Sequence, residues 1–316
     1  MTPDDITIDA IRAARERLPS QVIDTPLLPL PHDGAGPDIF LKMETLGPIG
    51  SFKLRGAGNA LAGVDIERGV WTASAGNMAQ AAAWMARAQG AACSVVVPDH
   101  APDAKLAAIA RFGAEIIRVP FERWWEVIVS HSFDGLDGRF VHPVCDPAVI
   151  AGNGTIGLEI LEQCPDVATV VVPYGGGGLS SGVAAALRAE APHVEVFAAE
   201  VTTAAPLAAA FVAGHPVDVD HQPSFVDGIG SGRVLDEMWP LVSQLLAGSV
   251  VVELDEVAEA LRLVLGRARV VAEGAGAAPV AAALRGDLPG PVVCVVSGGN
   301  INAATLSEVL AGRTPG

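Results

Sequence analysis

Lys53 lies in the stretch GPIGSFKLRGAGNAL, residues 47–61, between the apolar side chains of Phe52 and Leu54. A Gly-Ser pair precedes it and the residues after it favour a helix, so the lysine stands at a predicted helix start. The positive end of the helix dipole and the apolar neighbours both disfavour its ammonium form. Such an amine is suited to form a Schiff base. The stretch is also compatible with an ordinary lysine whose charged head reaches solvent.

Four consecutive glycines, Gly175–Gly178, follow an apolar run and precede a predicted helix. Glycines let the backbone approach a ligand closely, and the first N–H groups of a helix attract anions. The pattern predicts a phosphate site, although a tight turn from strand to helix has a similar composition. The run lacks the Lys-Ser/Thr pair of a Walker loop, and Ser180 or Ser181 replaces the third glycine of G-x-G-x-x-G. Neither nucleotide fingerprint fits.

Two further loops carry polar residues where a strand ends. WTASAGNMAQAAAW places Ser74, Gly76 and Asn77 before a predicted helix, and VVCVVSGGNINAA ends an apolar run with Ser297. Free N–H groups behind a Ser or Asn cap can hold a carboxylate or a ring oxygen, although taken alone the first loop fits an ordinary N-cap better. Ligands collect at the carboxyl ends of strands in open α/β sheets. These loops and the glycine run are therefore predicted to meet in one cleft.

The elements that position these loops alternate along the chain, as in a parallel sheet covered on both faces. The predicted strands are the β-branched runs ACSVVVP, AEIIRVP, ATVVVPY, VEVFAAEV, SVVVELD and PVVCVVS. The predicted helices include AQAAAWMARAQG, APDAKLAAIARFG, SSGVAAALRAEA and DEVAEALRLVLGRARV, the last with Asp255 as its N-cap. No composition shift marks a linker, so two domains would share the chain discontinuously.

Composition excludes several classes of protein. The 316 residues carry a formal charge of −16, which argues against a surface for nucleic acid or anionic membranes. The apolar runs are too short to span a bilayer, and the acidic first residues do not resemble a secretory signal. The four cysteines form no C-x-x-C pair, and no histidines show H-x-x-x-H spacing. We therefore expect a cytoplasmic protein without a built-in transition-metal site.

Six stretches together resemble one family, the fold type II (β-family) pyridoxal-phosphate enzymes, in particular the branch of serine/threonine dehydratases and serine racemase. They are LKMETLGPIGSFKLRGA, SAGNMAQ, AGNGTIGLEI, PYGGGGLSSG, VAEGAGAAPVAAAL and VVSGGNIN. The resemblance implies a tryptophan-synthase β-like α/β fold of two three-layer domains, with the cofactor in the cleft between them. Residues 1–66 and 147–316 would form the large domain, and residues 67–146 would form a small mobile domain. The small domain carries the loop SAGN, residues 74–77, which is called the asparagine loop.

The resemblance also implies roles for individual residues. Lys53 would hold pyridoxal 5'-phosphate as a Schiff base and act as the base at Cα of the substrate. Phe52 would pack on the pyridine ring, Asn77 would bond its 3-oxygen, and Ser297 would bond its nitrogen. The other expected cofactor contacts are Gly175, Gly176, Gly177, Gly178, Leu179 and Glu273. The expected substrate contacts are Ser51, Ser74, Ala75, Gly76, Asn77, Met78, Gln80, Asn153 and Tyr174.

The expected activity is β-elimination, in which a β-hydroxy-α-amino acid yields a 2-oxo acid and ammonia. A serine partner for the ring nitrogen makes a weaker electron sink than a carboxylate partner would, which suits prompt loss of a β-substituent. The racemase relatives carry a serine in the asparagine loop where Ala75 stands, so a dehydratase is favoured over a racemase. A β-replacement enzyme on the same fold, a nicotinamide-dependent oxidoreductase and a non-catalytic binding protein remain alternatives. The family is usually dimeric or tetrameric, so a homo-oligomer is expected, with a homodimer as the favoured form.

Some positions depart from the family pattern. Met78 replaces a histidine, Asn153 a glutamine and Tyr174 a small residue, which favours a substrate with a larger or less polar β-substituent than serine, such as threonine, 3-hydroxyaspartate or phenylserine. Some relatives bind a divalent cation through residues equivalent to Glu200 and Ala204, followed by an acid two residues later. That last position is Pro206 here, so no metal is expected.

Overall fold

The computed structural model describes residues 1–34 and 36–315. Ten strands occur in chain order: β1 Leu27–Pro29, β2 Ile39–Met43, β3 Val70–Ala73, β4 Cys93–Pro98, β5 Glu115–Val119, β6 Arg139–Phe140, β7 Thr169–Pro173, β8 Glu195–Val201, β9 Gly248–Val252 and β10 Val292–Val296. The α-helices are α1 Ile8–Arg17, α2 Lys53–Leu61, α3 Asn77–Ala88, α4 Asp103–Ala110, α5 Phe121–Ser130, α6 Pro147–Gln163, α7 Gly178–Glu190, α8 Pro206–Ala213, α9 Trp239–Leu245, α10 Leu254–Leu263, α11 Gly274–Leu284 and α12 Ala303–Leu310. None of these helices is long and apolar enough to cross a membrane.

The strands form two sheets. Six strands pair in the order β1-β2-β10-β7-β8-β9, and every pair is parallel except β1 with β2. The other four pair in the order β5-β4-β3-β6 and are all parallel. All four strands of the second sheet fall within residues 67–146.

Apolar side chains cover both faces of the large sheet. Along β7, Val170 and Val172 belong to a buried cluster that includes residues of α6 and α7, whereas Val171 belongs to a second cluster with residues of α10 and α11. Successive side chains of a strand point to opposite faces, so a strand buried on both faces reads as an unbroken apolar run. This arrangement confirms the predicted α/β fold with helices on both sides of the sheet.

The helix that begins at Lys53 is anchored by a buried network of opposite charges. Arg55 follows Lys53 by two residues on α2. Its Nε lies 2.7 Å from Glu44 Oε2, and the other guanidinium nitrogens donate to Glu159 on α6. Lys42 Nζ on β2 also donates to Glu159, at 2.5 Å. All four side chains are almost fully buried, and two positive groups face two negative ones. Removing one member would leave a buried charge unpaired, so the network holds α2 firmly against β2 and α6.

The predicted start of α10 is wrong. Asp255 is not its N-cap, because the helix begins at Leu254 and Glu253 takes the N-cap position. Glu253 and Glu256 form a reciprocal capping box there. Glutamate is not among the favoured N-cap residues, and Asp255, two positions on, matches the usual cap signal better.

Candidate active site

Lys53 is the first residue of α2, as its sequence context predicts. The loop before it is joined to the loop that follows β10 by two backbone hydrogen bonds. The N–H of Phe52 donates to Ser297 O at 2.9 Å, and the N–H of Gly299 donates to Gly50 O at 2.9 Å. Gly50 adopts a φ of 67°, a left-handed conformation that glycine adopts without strain. The two loops therefore bring Lys53 and Ser297 together, although they are far apart in sequence.

The amine of Lys53 lies in an apolar environment. Its Nζ donates to Pro143 O at 2.8 Å and lies 5.0 Å from the centre of the Phe52 ring. The side chain is partly exposed on the cleft, but its amine is deep enough that burial lowers its pKa to about 8. An amine in this state is neutral, and hence nucleophilic, more often than an ordinary lysine.

The glycine run follows β7 directly and leads into α7. Gly177 is the N-cap of α7 and has a φ of 96°. A Cβ on Gly178 would lie 2.7 Å from Val144 O, and a Cβ on Gly176 would clash with the Val144 side chain. The run is therefore packed closely against the segment that carries Pro143, which leaves no space for larger residues. The first N–H groups of α7 lack acceptors within the helix, so they are available to an anion.

The loop before α3 is not an ordinary side-chain cap. Its N-cap is Gly76, and no side chain caps the helix. Ser74 Oγ instead accepts the N–H of Gly76 at 3.2 Å. Asn77 is the first residue of α3, and its amide nitrogen donates to Glu273 Oε1 at 2.9 Å. The loop is thus free to present polar groups to a ligand, and Asn77 reaches across to the large sheet's side of the cleft.

The remaining predicted site residues differ in exposure. Ala75 and Gly175 are partly exposed, whereas Leu179 and Gln80 are buried. Met78 is 1% exposed and belongs to an apolar cluster that also contains Ile49 and Leu54, so it fills space behind the loop and does not form an open cleft wall.

Several buried polar atoms near these loops have no hydrogen-bond partner among the described residues. They are Ser51 Oγ, Asn153 Oδ1, Tyr174 Oη and Ser181 Oγ. Asn153 uses its amide nitrogen to donate to Gly178 O at 3.2 Å. Burial also raises the pKa of Tyr174, which keeps its hydroxyl neutral. Unpaired buried polar atoms are costly, so a concentration of them around the lysine and the glycine run indicates a place for a polar ligand.

Sequence reasoning missed the segment that accepts the Lys53 hydrogen bond. His142 Nδ1 accepts the N–H groups of Val144 at 3.0 Å and Cys145 at 2.8 Å, while its Nε2 lies 3.1 Å from Ile128 O. This pattern fits a neutral ring protonated at Nε2, and burial lowers the pKa of His142 to about 4. The histidine thereby fixes the turn that presents Pro143 O. No periodic pattern marks such a contact, so no local signal could have revealed it.

His142 also belongs to a candidate metal-ligand group. Ligand atoms of His131, His142 and Glu237 all lie within 4.8 Å of one another. Both ring nitrogens of His142 are already used by backbone groups, so this arrangement does not fit a metal centre.

The weak cation candidate has another role in the structure. Glu200 accepts the N–H groups of Leu207 and Ala208, both at 2.8 Å, and the hydroxyl of Ser249 at 2.5 Å. Its carboxylate therefore sits at the start of α8, where backbone donors compensate its charge. Burial raises the pKa of Glu200. This donor set replaces the cation contacts that the resemblance suggested.

A lysine of lowered pKa and a glycine run at a helix start are the features expected of a cofactor-dependent enzyme of the fold type II class. The profile of the family described as "Pyridoxal-phosphate dependent enzyme" matches residues 18–298, and the chain belongs to this family. The chain is 38% identical over 310 residues to an L-threonine ammonia-lyase of Geobacter sulfurreducens, covering 95% of this chain and 77% of that protein.

Solved structures show the same fold. A maize serine racemase superposes with a TM-score of 0.87 at 30% identity and covers 98% of both chains. The processed form of threonine deaminase isoform 2 from Solanum lycopersicum has a TM-score of 0.85, also at 30% identity, and the match covers 97% of this chain and 92% of that one. A threonine deaminase and a racemase therefore share this architecture with the chain.

The residues present fit pyridoxal phosphate. The glycine run and the first turn of α7 suit its phosphate, and Lys53 suits its aldehyde. Near these elements, the buried atoms Ser51 Oγ, Tyr174 Oη and Ser181 Oγ have no hydrogen-bond partner among the described residues. Pyridoxal phosphate is the cofactor of this family.

Proposed function

We propose that the protein is an ammonia-lyase that converts a β-hydroxy-α-amino acid of the threonine class into a 2-oxo acid and ammonia. The observation that carries the proposal is Ala75 in the asparagine loop, because its methyl group can neither donate nor accept a proton. The L-threonine ammonia-lyase relatives, such as that of Geobacter sulfurreducens, support the same reaction class. A racemase needs a second acid/base on the face of the substrate opposite the first, and this loop offers none at residue 75.

The predicted cofactor contacts other than Glu273 have direct roles in this proposal. Lys53 Nζ anchors the cofactor, and Phe52 packs on its ring. The backbone N–H groups from Gly175 to Leu179 hold the phosphate. Ser297, buried at the end of β10, faces the ring nitrogen with a neutral hydroxyl. Asn77 donates to the ring's 3-oxygen.

Lys53 is also the proton acceptor. Bound pyridoxal phosphate supplies an electron sink that makes the Cα–H bond of the attached amino acid acidic. Once substrate has displaced it from the cofactor, neutral Lys53 Nζ would take the Cα proton, and the β-hydroxyl group would leave as water after accepting a proton from the resulting Lys53 ammonium group. A pKa of about 8 leaves roughly a tenth of the free amine neutral at pH 7. Water lost at Cβ is regained on hydrolysis of the enamine, so threonine yields 2-oxobutanoate and ammonia with no other reactant.

The substrate's carboxylate is assigned to the loop before α3. Ser74, Gly76 and Gln80 surround it in this proposal, with Ser51 on the opposite side. The N–H groups at the start of α3 favour a negative charge. Threonine is the expected substrate because the L-threonine ammonia-lyase of Geobacter sulfurreducens is 38% identical to this chain.

We also propose how the chain is organised in solution. Residues 67–146 form a small domain that closes over the substrate and excludes water, and residues 1–66 and 147–316 form the large domain. The separate four-stranded sheet within 67–146 supports this division. The protein is proposed to be a cytoplasmic homodimer, as the family resemblance suggests.

Product analysis tests the proposed reaction. The purified protein with pyridoxal phosphate is offered threonine, serine, 3-hydroxyaspartate and phenylserine, and 2-oxo acid and ammonia are measured in coupled assays. We expect equal amounts of both products, a preference for a substrate other than serine, and loss of turnover in Lys53→Ala. Reduction with borohydride should label Lys53. A colourless protein that takes up no pyridoxal phosphate would refute the proposal, and formation of a new amino acid would indicate β-replacement.

Racemisation is tested separately by chiral analysis of the recovered amino acid. We expect little D-threonine or D-serine from the natural protein. Ala75→Ser restores the hydroxyl of the racemase relatives and should raise D-isomer formation while elimination continues. Rapid D-isomer formation by the unaltered protein would make the racemase the better assignment.

A further inference from the structure

Glu273 occupies an N-cap position without capping its helix. It precedes α11, and its side chain makes no hydrogen bond to that helix. Its backbone N–H donates to Gly298 O at 2.9 Å, which fixes the residue beside the loop after β10. The carboxylate turns away from its own helix, and Oε1 accepts the amide N–H of Asn77 at 2.9 Å. The residue is only 9% exposed.

Glycines leave room for this carboxylate. A Cβ on Gly298 would lie 2.6 Å from Glu273 Oε1, and a Cβ on Gly228 would lie 3.3 Å from the same atom. The first distance is shorter than real Cβ contacts, so a side chain at residue 298 would force the Glu273 carboxylate out of this position. The contact therefore joins Asn77, at the start of α3, to Glu273, which lies beside the loop after β10.

The carboxamide of Asn77 is also held at its oxygen. Asn300 Nδ2 donates to Asn77 Oδ1 at 2.8 Å and to Ile49 O at 2.8 Å. A carboxylate accepts and an amide nitrogen donates, so these contacts fix which end of Asn77 is oxygen and which is nitrogen. One N–H of Asn77 is used by Glu273. The other has no acceptor within residues 1–34 and 36–315.

We propose that Glu273 and Asn300 are positioning residues that orient the Asn77 carboxamide so that its second N–H donates to the cofactor's 3-oxygen. This inference rests on the role proposed above for Asn77. Glu273 does not reach the cofactor oxygen itself in this scheme, but acts through Asn77. Without Glu273, the amide could rotate and present its oxygen, which would repel the cofactor's oxygen.

The groups around Glu273 shift its pKa in opposite directions, with a net rise. Burial raises its pKa to about 7, and the neighbouring negative charge of Asp227 acts in the same direction. Lys105 opposes this effect and forms a salt bridge with Asp227, with Nζ 2.7 Å from Oδ2. The contact with Asn77 and a backbone N–H of Asn300 also favour the carboxylate.

A double-mutant cycle on cofactor binding tests the inference. The dissociation constant of pyridoxal phosphate is measured by absorbance titration of the cofactor-free protein, without reference to turnover. We expect Asn77→Ala to weaken binding about tenfold and Glu273→Ala to weaken it nearly as much, as for loss of one well-placed hydrogen bond. The pair Asn77→Ala/Glu273→Ala should bind no more weakly than Asn77→Ala alone.

Conservative and control variants separate positioning from general damage. Glu273→Gln keeps an acceptor oxygen, so it should recover binding to within about threefold of the natural protein, since shape and acceptor are retained. Asn300→Ala should give a smaller loss, because that contact is exposed. Glu253→Ala removes the N-cap glutamate of α10, which lies outside the cleft, and should leave the dissociation constant unchanged. Circular dichroism shows whether each variant is folded.

The outcomes are distinct. Additive losses in the double variant would show that Glu273 acts independently of Asn77, which overturns the inference and leaves the proposed function intact. An Asn77→Ala variant that binds as tightly as the natural protein overturns both the inference and the assigned role of Asn77. A natural protein that binds no pyridoxal phosphate contradicts the proposed function itself.

Discussion

Replacing Lys53 with methionine is expected to stabilise the cofactor-free protein at neutral pH. Burial lowers the pKa of Lys53 from 10.5 to about 8. This difference corresponds to about 3 kcal/mol against the folded ammonium form. Methionine loses the hydrogen bond to Pro143 O, which costs about 1 kcal/mol. The variant should therefore gain about 2 kcal/mol in its free energy of unfolding, because the amine needed for chemistry is expensive to bury.

The gain should depend on pH. Between pH 8 and 10.5 the unfolded chain holds more protons on this lysine than the folded chain does. The stability of the natural protein therefore rises with pH across this window, and the variant lacks the rise. The difference between them should be largest below pH 8 and should shrink by about 2 kcal/mol between about pH 7 and pH 9.5.

Urea denaturation of the cofactor-free proteins, followed by tryptophan fluorescence, measures both effects. Each protein is unfolded at about pH 7 and about pH 9.5, and the free energies are compared at equal slopes of the transition. Lys105→Met serves as the control, since Lys105 is partly exposed and paired with Asp227. The reasoning fails if Lys53→Met is no more stable than the natural protein at the lower pH, or if the difference does not shrink at the higher pH.

A chelator treatment and three substitutions test other parts of the structure. Chelators should alter neither the melting temperature nor the reaction rate, and a melting temperature that falls with chelator would contradict the absence of a metal at Glu200. Glu200→Ala should lower the free energy of unfolding by about 2 kcal/mol, because the first N–H groups of α8 lose their acceptor. Gly178→Ala should weaken pyridoxal phosphate binding at least about tenfold in the absorbance titration, because the new Cβ would approach Val144 O. Gly266→Ala is the control: its Cβ would meet nothing within 4 Å, so this variant should bind the cofactor normally. Arg55→Met should cost about 3–5 kcal/mol in urea unfolding, because buried carboxylates lose their partner, and a loss below about 1 kcal/mol would contradict the ion-pair account.

Strands whose burial shows as a continuous run of apolar residues were predicted from the sequence. β7 and β10 are buried on both faces, and their apolar runs are unbroken. β2 gave no such signal because Lys42 lies within it. That lysine is buried only through its pairing with Glu159, which is 117 residues away, and no local pattern reports a partner at that distance. β6 has only two residues, too few for any period.

The site shows the same limit. The glycine run and Lys53 were recognised from the residues next to them in sequence: consecutive glycines before a helix, and a lysine at a predicted helix start. The contact of Lys53 with Pro143 spans 90 residues, and that of Asn77 with Glu273 spans 196. For the loop before α3, the sequence predicted a helix cap or a ligand contact at Ser74 and Asn77, but no contact with Glu273. The structure instead directs Asn77 to a carboxylate from another helix, which no spacing rule could indicate.

The chemistry of α2 depends on two cations that stand two residues apart and are treated differently by the fold. Arg55 meets two buried carboxylates, whereas burial lowers the pKa of Lys53 and no acidic group within residues 1–34 and 36–315 offsets it. A carboxylate beside Lys53 would raise its pKa and keep its amine charged. Side chains two apart on a helix point in different directions, so one surface of α2 can be fixed by ion pairs while the other keeps an unpaired amine. The ion pairs of Arg55 thereby hold α2 in place although burying the amine of Lys53, which the reaction needs, destabilises the folded protein.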